Sequence, residues 1–258
     1  IGGSASWANI RGLLTGNVAG LKLYEQEDYK SPSLNVWGIS DKDLFLEAND
    51  VLKKSAGPGG QEKPFFAIIQ TADNHRPYTI PDEDKPSVRL RNFSKDSLEK
   101  NGFWSNEELN AYAYMDYTYK VFMEAAEKEK YFDNTIFVFV GDHGIRGNAG
   151  NLFPKVWTDQ GLTCQHVPLL FYAPAMLKPT KISRKVSQID IMPSLASLCG
   201  EEVKYSGLGK NIFENDSASD HYAFIIDSDI GNIGHVTDNY FLKYNRKTKE
   251  EAVYPMLN

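Results

Sequence analysis

The chain has five histidines, and His75, His143 and His166 each stand beside an apolar run. Asp142 and His143 make the strongest local signal. They sit between Gly141 and Gly144, directly after the apolar stretch 135–140. At a strand exit an aspartate and a histidine can face one crevice if the chain turns, and flanking glycines permit that turn. Carboxylate oxygen and imidazole nitrogen are good ligands for zinc, manganese or iron. The alternative is that Asp142 caps a following turn and His143 is an ordinary polar residue.

His75 has a similar setting. It follows the apolar run 64–71 and is flanked by Asp73, Asn74 and Arg76. Its imidazole can hydrogen-bond or protonate an anionic substrate oxygen, and Arg76 offers planar N–H donors to phosphate or sulfate. The competing reading is a loop knitted by Asx turns. His166 precedes the apolar run 167–173. At a strand entry it is expected on the opposite edge from the other candidates unless a long loop returns it. It is a possible additional site residue, as a second metal ligand or substrate contact, or else a loop histidine satisfied by backbone.

Other candidates carry less. Asp190 is placed to cap a helix, and Asp116, among aromatics, reads as a buried structural acid. His221 and His235 have no evident partner. Cys164 and Cys199 read as core or loop residues rather than nucleophiles. The four tryptophans are scattered and suggest no shared platform. The Gly-Pro-Gly-Gly stretch at 57–60 lacks the Gly-Lys-Ser/Thr ending of a phosphate loop. Neither a His-Glu-x-x-His motif nor a Gly-x-Ser-x-Gly elbow occurs.

The elements that must hold these residues follow from periodicity. Residues 34–37 read as a short strand. Ser40 is a plausible N-cap with Asp41 and Asp43 in the first turn, and Leu44, Ala48, Val51 and Leu52 form an apolar stripe. The run 64–71 reads as a buried parallel strand, because it is apolar without alternation. Ser105 with Glu108 is a capping-box pattern opening the longest helix. Residues 135–140 and 167–173 are further buried-strand candidates, and 187–198 is a helix stopped by Gly200. Past residue 221 the pattern changes to short strands with polar turns. The expectation is an α/β fold with a mostly parallel sheet flanked by helices, plus a small C-terminal antiparallel sheet. Residues 1–215 form the larger domain and 216–258 the small one.

Composition limits the function classes. The 258 residues carry 28 Lys and Arg against 34 Asp and Glu, a formal charge of -6. That balance gives no support to a broad nucleic-acid surface. Two cysteines exclude a disulfide scaffold and a zinc ribbon. No apolar run reaches the roughly 18 residues of a membrane helix. The opening residues lack the basic start and apolar core of a signal peptide.

The segment 134–144, Asn-Thr-Ile-Phe-Val-Phe-Val-Gly-Asp-His-Gly, resembles the metal-binding strand exit of the sulfatase and alkaline-phosphatase superfamily. It most resembles the lipoteichoic-acid-synthase-like branch, which includes phosphoglycerol transferases. The run 65–71 leading to Asn74, His75, Arg76, Pro77 and Tyr78 is similar to that branch's strand and substrate-binding histidine. Residues 3–7, 114–117, 166–174 and 187–195 fit in the same order. The resemblance implies an alkaline-phosphatase-like fold and a divalent metal (Mn, Mg, Zn or Ca). It implies Asp142 and His143 as metal ligands, and His75, with Arg76, at the anionic head group. It implies phosphoester or sulfate substrates, lipid head groups among them, and an extracytoplasmic domain of a membrane-anchored protein. The family's nucleophile, a Thr or Ser or a formylglycine, and its first acidic ligand are expected upstream of Ile1, with Thr15 the nearest candidate here. The chain is thus expected to be the carboxyl-terminal portion of a larger catalytic domain, lacking its N-terminal half and inactive alone. Sulfate-ester hydrolysis and a non-catalytic anion-binding or interaction domain are the alternatives.

Overall fold

The computed structural model describes residues 1–56, 64–150, 152–202, 204–214, 222–228 and 230–256. The Gly-Pro-Gly-Gly loop and His221 lie outside the described residues. The chain forms two compact units: Ile1–Val140 with Leu169–Lys178, and Gly141–Pro168 with Pro179–Asn258.

The first unit contains α1 (Ile10–Asn17), α2 (Asp41–Ser55), α3 (Lys95–Lys100), α4 (Asn106–Ala126), β1 (Phe137–Val140) and β2 (Leu169–Tyr172). Helix α2 starts where its cap predicts. The Ser40 hydroxyl accepts from the Asp43 N–H at 3.1 Å, and Lys53 and Lys54 occupy the last turn. Ser105 likewise accepts from the Glu108 N–H. The reciprocal half of the expected capping box is absent: the Glu108 carboxylate accepts from the Trp104 N–H and the Tyr78 hydroxyl. Phe45 and Leu52 of α2, Phe122 and Ala126 of α4, Tyr131 and Phe137 share one core, where Phe45 stacks on Phe122 at 4.8 Å. Leu52 and each of the phenylalanines contributes on the order of 1.5–3 kcal/mol. Asp116 is exposed rather than buried. It lies off the α4 face that buries Ala111, Tyr114, Thr118 and Phe122.

The second unit contains α5 (Lys155–Asp159), α6 (Ile191–Leu198) and strands β3 (Ala223–Asp227), β4 (Asn232–Val236), β5 (Tyr240–Asn245) and β6 (Glu251–Pro255). The four strands run antiparallel in sequence order, with Phe224 opposite His235 and Leu242 opposite Val253. Leu162, Val236, Phe241 and Met256 form its core.

The mostly parallel sheet is not what forms. Strands β1 and β2 make an antiparallel pair, with Phe137 opposite Tyr172 and Val140 opposite Leu169, so both sheets are antiparallel. An apolar run without alternation reports burial, but it carries no information on the direction of its neighbour. The run 64–71 has no regular secondary structure and joins neither sheet among the described residues. Phe65 and Ile69 pack on the core, while Phe66 and Ile68 are 67 % and 72 % exposed. Residues 34–37 make a tight turn closed by an Asn35–Gly38 bridge rather than a strand. The expected α/β composition stands; its parallel sheet does not.

Candidate functional site

The candidate residues fall in both units, and each group is built locally. In the first unit, His75 lies on the loop after the apolar run 64–71. Its N–H donates to the Ala72 carbonyl at 3.0 Å, and its Nδ1 lies 3.1 Å from the same oxygen. A carbonyl only accepts, so this contact requires the proton on Nδ1. The Trp37 ring sits 4.5 Å from the imidazole, and the Trp37 indole N–H donates to the Arg76 carbonyl at 2.7 Å. Trp7, 61 % exposed, meets Trp37 edge-on at 6.1 Å. Sequence spacing gave no hint that two tryptophans stand in a row with this histidine. The Arg76–Pro77 peptide is cis, and Tyr78 adopts a positive φ of 60°. Tyr78 then anchors the loop through its hydroxyl to Glu108, and burial raises its phenol pKa. Exposed Arg76 and half-buried His75 thus sit on a loop fixed at several points.

Beneath this loop lie two acids, each only 2 % exposed. The Asp41 carboxylate accepts from the N–H groups of Ala72 (2.8 Å) and Asp73 (3.1 Å), and the Asp73 carboxylate accepts from the Asp41 N–H (2.7 Å). Asp41 is the first residue of α2, whose leading N–H groups lack helical partners and favour negative charge. Burial pushes the Asp73 carboxyl up to about 8, helped by the charge of Asp41. Burial raises Asp41 as well, against the pull of its two N–H donors.

In the second unit, Asp142 and His143 occupy the exit of β1. The antiparallel register places this exit next to the entry of β2: Val140 faces Leu169, and the Gly141 N–H donates to the Pro168 carbonyl. The segment bearing His166 therefore lies beside the Asp142–His143 turn, where a parallel partner would have placed it on the opposite edge. Both glycines are needed for this approach. A Cβ on Gly144 would stand 2.6 Å from the Thr163 carbonyl oxygen, and one on Gly141 would stand 2.9 Å from the Val167 Cβ. The Asp142 carboxylate accepts from the His143 N–H at 2.8 Å. His143 Nδ1 lies 2.8 Å from the Gly144 carbonyl, which again places the proton on Nδ1. Gln188, which sequence reasoning did not single out, donates through its amide to the Gly141 (2.6 Å) and Asp142 (2.8 Å) carbonyls.

The donors suit a divalent cation in type but not in number. Asp142 Oδ2 and His143 Nε2 are 4.0 Å apart, with side chains 73 % and 56 % exposed. Tetrahedral bonds of about 2.0–2.1 Å would separate two ligand atoms by roughly 3.4 Å, within reach of a side-chain rotation. Among the described residues no group of three or more His, Cys, Asp or Glu could hold a metal. His166 packs edge-on against Phe153 and Trp157, which stack on each other at 4.3 Å, and burial, with the charge of Lys185, lowers its pKa. His235 lies against the Tyr222 ring. Cys164 donates weakly to the Gly144 carbonyl, and both cysteines are free. Asp190 bridges a cap, accepting from the N–H groups of Ser187 and Lys210.

Residues 7–201 match the Sulfatase family, and the chain belongs to that family. The lipoteichoic acid synthase-like protein YvgJ of Bacillus subtilis is 27 % identical over 228 residues, covering 83 % of this chain and 34 % of YvgJ. Lipoteichoic acid synthase 2 of the same organism is 27 % identical over 197 residues, covering 73 % of this chain and 28 % of that protein. The chain therefore spans about a third of the length of these curated relatives. A crystal structure of an alkaline phosphatase superfamily protein from Vibrio parahaemolyticus aligns with all of this chain and 59 % of its own, with a TM-score of 0.73 and 24 % identity. The phosphonate monoester hydrolase SpPMH from Silicibacter pomeroyi shares the fold at a TM-score of 0.52 and 13 % identity, over 95 % of this chain and 62 % of its own. The fold is that of the sulfatase and alkaline-phosphatase superfamily. No helix among the described residues is long and apolar enough to cross a membrane.

Proposed function

We propose that this chain is the carboxyl-terminal portion of a metal-dependent enzyme of the lipoteichoic-acid-synthase-like branch, transferring or hydrolysing a phosphoester such as a phosphoglycerol head group. The observation that carries this reading is the alignment of most of the chain with lipoteichoic acid synthase-like proteins. In this reading His75 and Arg76 bind the anionic group, and exposed Trp7 with half-buried Trp37 borders it. Asp142 and His143 supply two ligands to a divalent cation (Mn, Mg, Zn or Ca) whose remaining ligands lie elsewhere in the parent protein. When bound, such a cation stabilises negative charge on the transferred group. His166, held neutral, is the additional site residue. Residues 1–215 belong to the catalytic domain and 216–258 to a terminal subdomain. The parent protein is membrane-anchored with this part extracytoplasmic. The nucleophile and the N-terminal half of the domain are contributed from outside this chain, which alone turns over little or nothing.

Manganese titration of the wild type and His143→Ala, followed by broadening of the His143 and neighbouring NMR signals, tests the metal half. The reading predicts weak binding by the wild type and its loss in the variant, and equal affinity would refute the site. Assay of the longer parent protein on phosphoglycerol and sulfate esters tests the substrate half. Preference for the sulfate ester would replace phosphoester chemistry with the sulfatase alternative that the family also supports.

A further inference from the structure

We infer that Asp41 is a positioning residue for His75, with Asp73 bracing Asp41: the Asp41 carboxylate holds the Ala72 peptide, whose carbonyl fixes the imidazole as its Nδ1–H tautomer. The inference deepens, and rests on, the reading that His75 meets an anionic substrate oxygen.

A continuous set of hydrogen bonds links the two acids to the imidazole. One end of the Ala72 peptide region is gripped by Asp41, through the N–H groups of Ala72 and Asp73. The other end, the Ala72 carbonyl, takes both the backbone N–H and Nδ1 of His75. Asp73 closes the loop onto α2 by accepting the Asp41 N–H, which has no helical partner of its own. Each acid thus accepts the other's backbone N–H, and the four-residue turn Ala72–His75 is tied to the start of a fifteen-residue helix. Burying two carboxylates is costly unless they are compensated. The N–H groups at the start of α2 favour the Asp41 oxygens, while burial raises both carboxyls, Asp73 to about 8. A loop needing only to turn would do so with exposed Asx contacts. Buried acids are warranted where an orientation must be held. Trp37 packs on the imidazole and keeps the ring from swinging away.

Fixing the proton on Nδ1 decides what Nε2 can do. In that tautomer the neutral ring presents Nε2 as an acceptor, and on protonation Nε2 becomes a charged donor to an anion. In water a neutral imidazole prefers the other tautomer, so the state of His75 is a readout that a purely structural clamp would not move.

The test is ring-nitrogen NMR of the whole chain labelled with 15N-histidine, with His75 assigned by its loss in His75→Gln. Wild-type His75 is expected to show the Nδ1–H shift pattern at pH 8, and an Nε2–H pattern would overturn the inference outright. In folded Asp41→Asn, where an amide N–H₂ replaces one of two acceptors, the two ring-nitrogen shifts should move toward the Nε2–H pattern. Asp73→Asn keeps an acceptor for the Asp41 N–H and should retain the wild-type pattern. Should Asp41→Asn not fold, Asp41→Glu is expected to give averaged shifts. Unchanged His75 shifts in a folded Asp41 variant would overturn the inference. Inorganic phosphate added to the wild type reports separately on the substrate reading. Loss of the phosphate-induced His75 shift in Asp41→Asn supports the inference. If phosphate moves no His75 signal in the wild type, the substrate reading fails, while the tautomer result still decides whether Asp41 positions the ring.

Discussion

The amide of Gln188 donates to both the Gly141 and Asp142 carbonyls, holding the strand exit from a 3-10 turn (Gln188–Asp190) remote in sequence. This single side chain fixes two successive peptides of the turn that carries the candidate metal ligands. Replacing Gln188 by Ala should leave the fold intact and weaken manganese binding about tenfold or more, as loss of an outer-shell support does elsewhere. Line broadening of His143 measured against manganese concentration reads this directly. Unchanged affinity would show that the turn holds itself.

Gly144→Ala should destabilise the second unit by about 1–3 kcal/mol, because the new methyl meets a backbone oxygen that cannot retreat like a flexible side chain. Urea denaturation checks it. Ala tolerated at wild-type stability would mean that the 163–166 segment yields freely.

The acid pair makes stability depend on pH. Asp73 is raised to about 8 in the folded chain, against an ordinary aspartate value when unfolded. The folded state therefore binds more protons in between, and its stability falls as pH rises from about 4 through 8. The slope is at most about 1.4 kcal/mol per pH unit from this group. Melting temperatures measured across pH 5 to 9 should decline, and Asp73→Asn, which cannot ionise, should flatten that decline. A steeper fall in the variant would contradict the assignment.

Phe122→Ala removes a ring stacked on Phe45 in the first unit's core and should cost about 3–5 kcal/mol. Chemical denaturation of the purified variant provides the number. A cost below about 1 kcal/mol would mean that the neighbouring aromatic rings collapse into the space.

Much of this organisation is legible in the sequence where the signal is local. Ser40 and Ser105 announce their helices because a cap acts on an N–H three residues away. The tail strands show themselves by alternation between polar turns. The Asp-His pair after an apolar run marks a strand exit. Direction is different: nothing in residues 137–140 tells which way a partner will run, and the antiparallel answer comes only from the pairing. Partners distant in sequence were also hidden. Asp41 and Asp73 are separated by 32 positions, and each alone reads as an ordinary first-turn or loop acid. Trp37 met His75, and Gln188 met Asp142, through the same kind of long-range closure. Exposure of Phe66 and Ile68 was equally invisible, since composition describes what a strand would prefer rather than what covers it.

The chain passes from the first unit to the second after Val140, returns at Leu169 and leaves again after Lys178. No one protease cut can release either unit as an uninterrupted piece. The excursion between β1 and β2 carries Asp142, His143 and His166 on one uninterrupted stretch, so a graft of this segment would move them as a set.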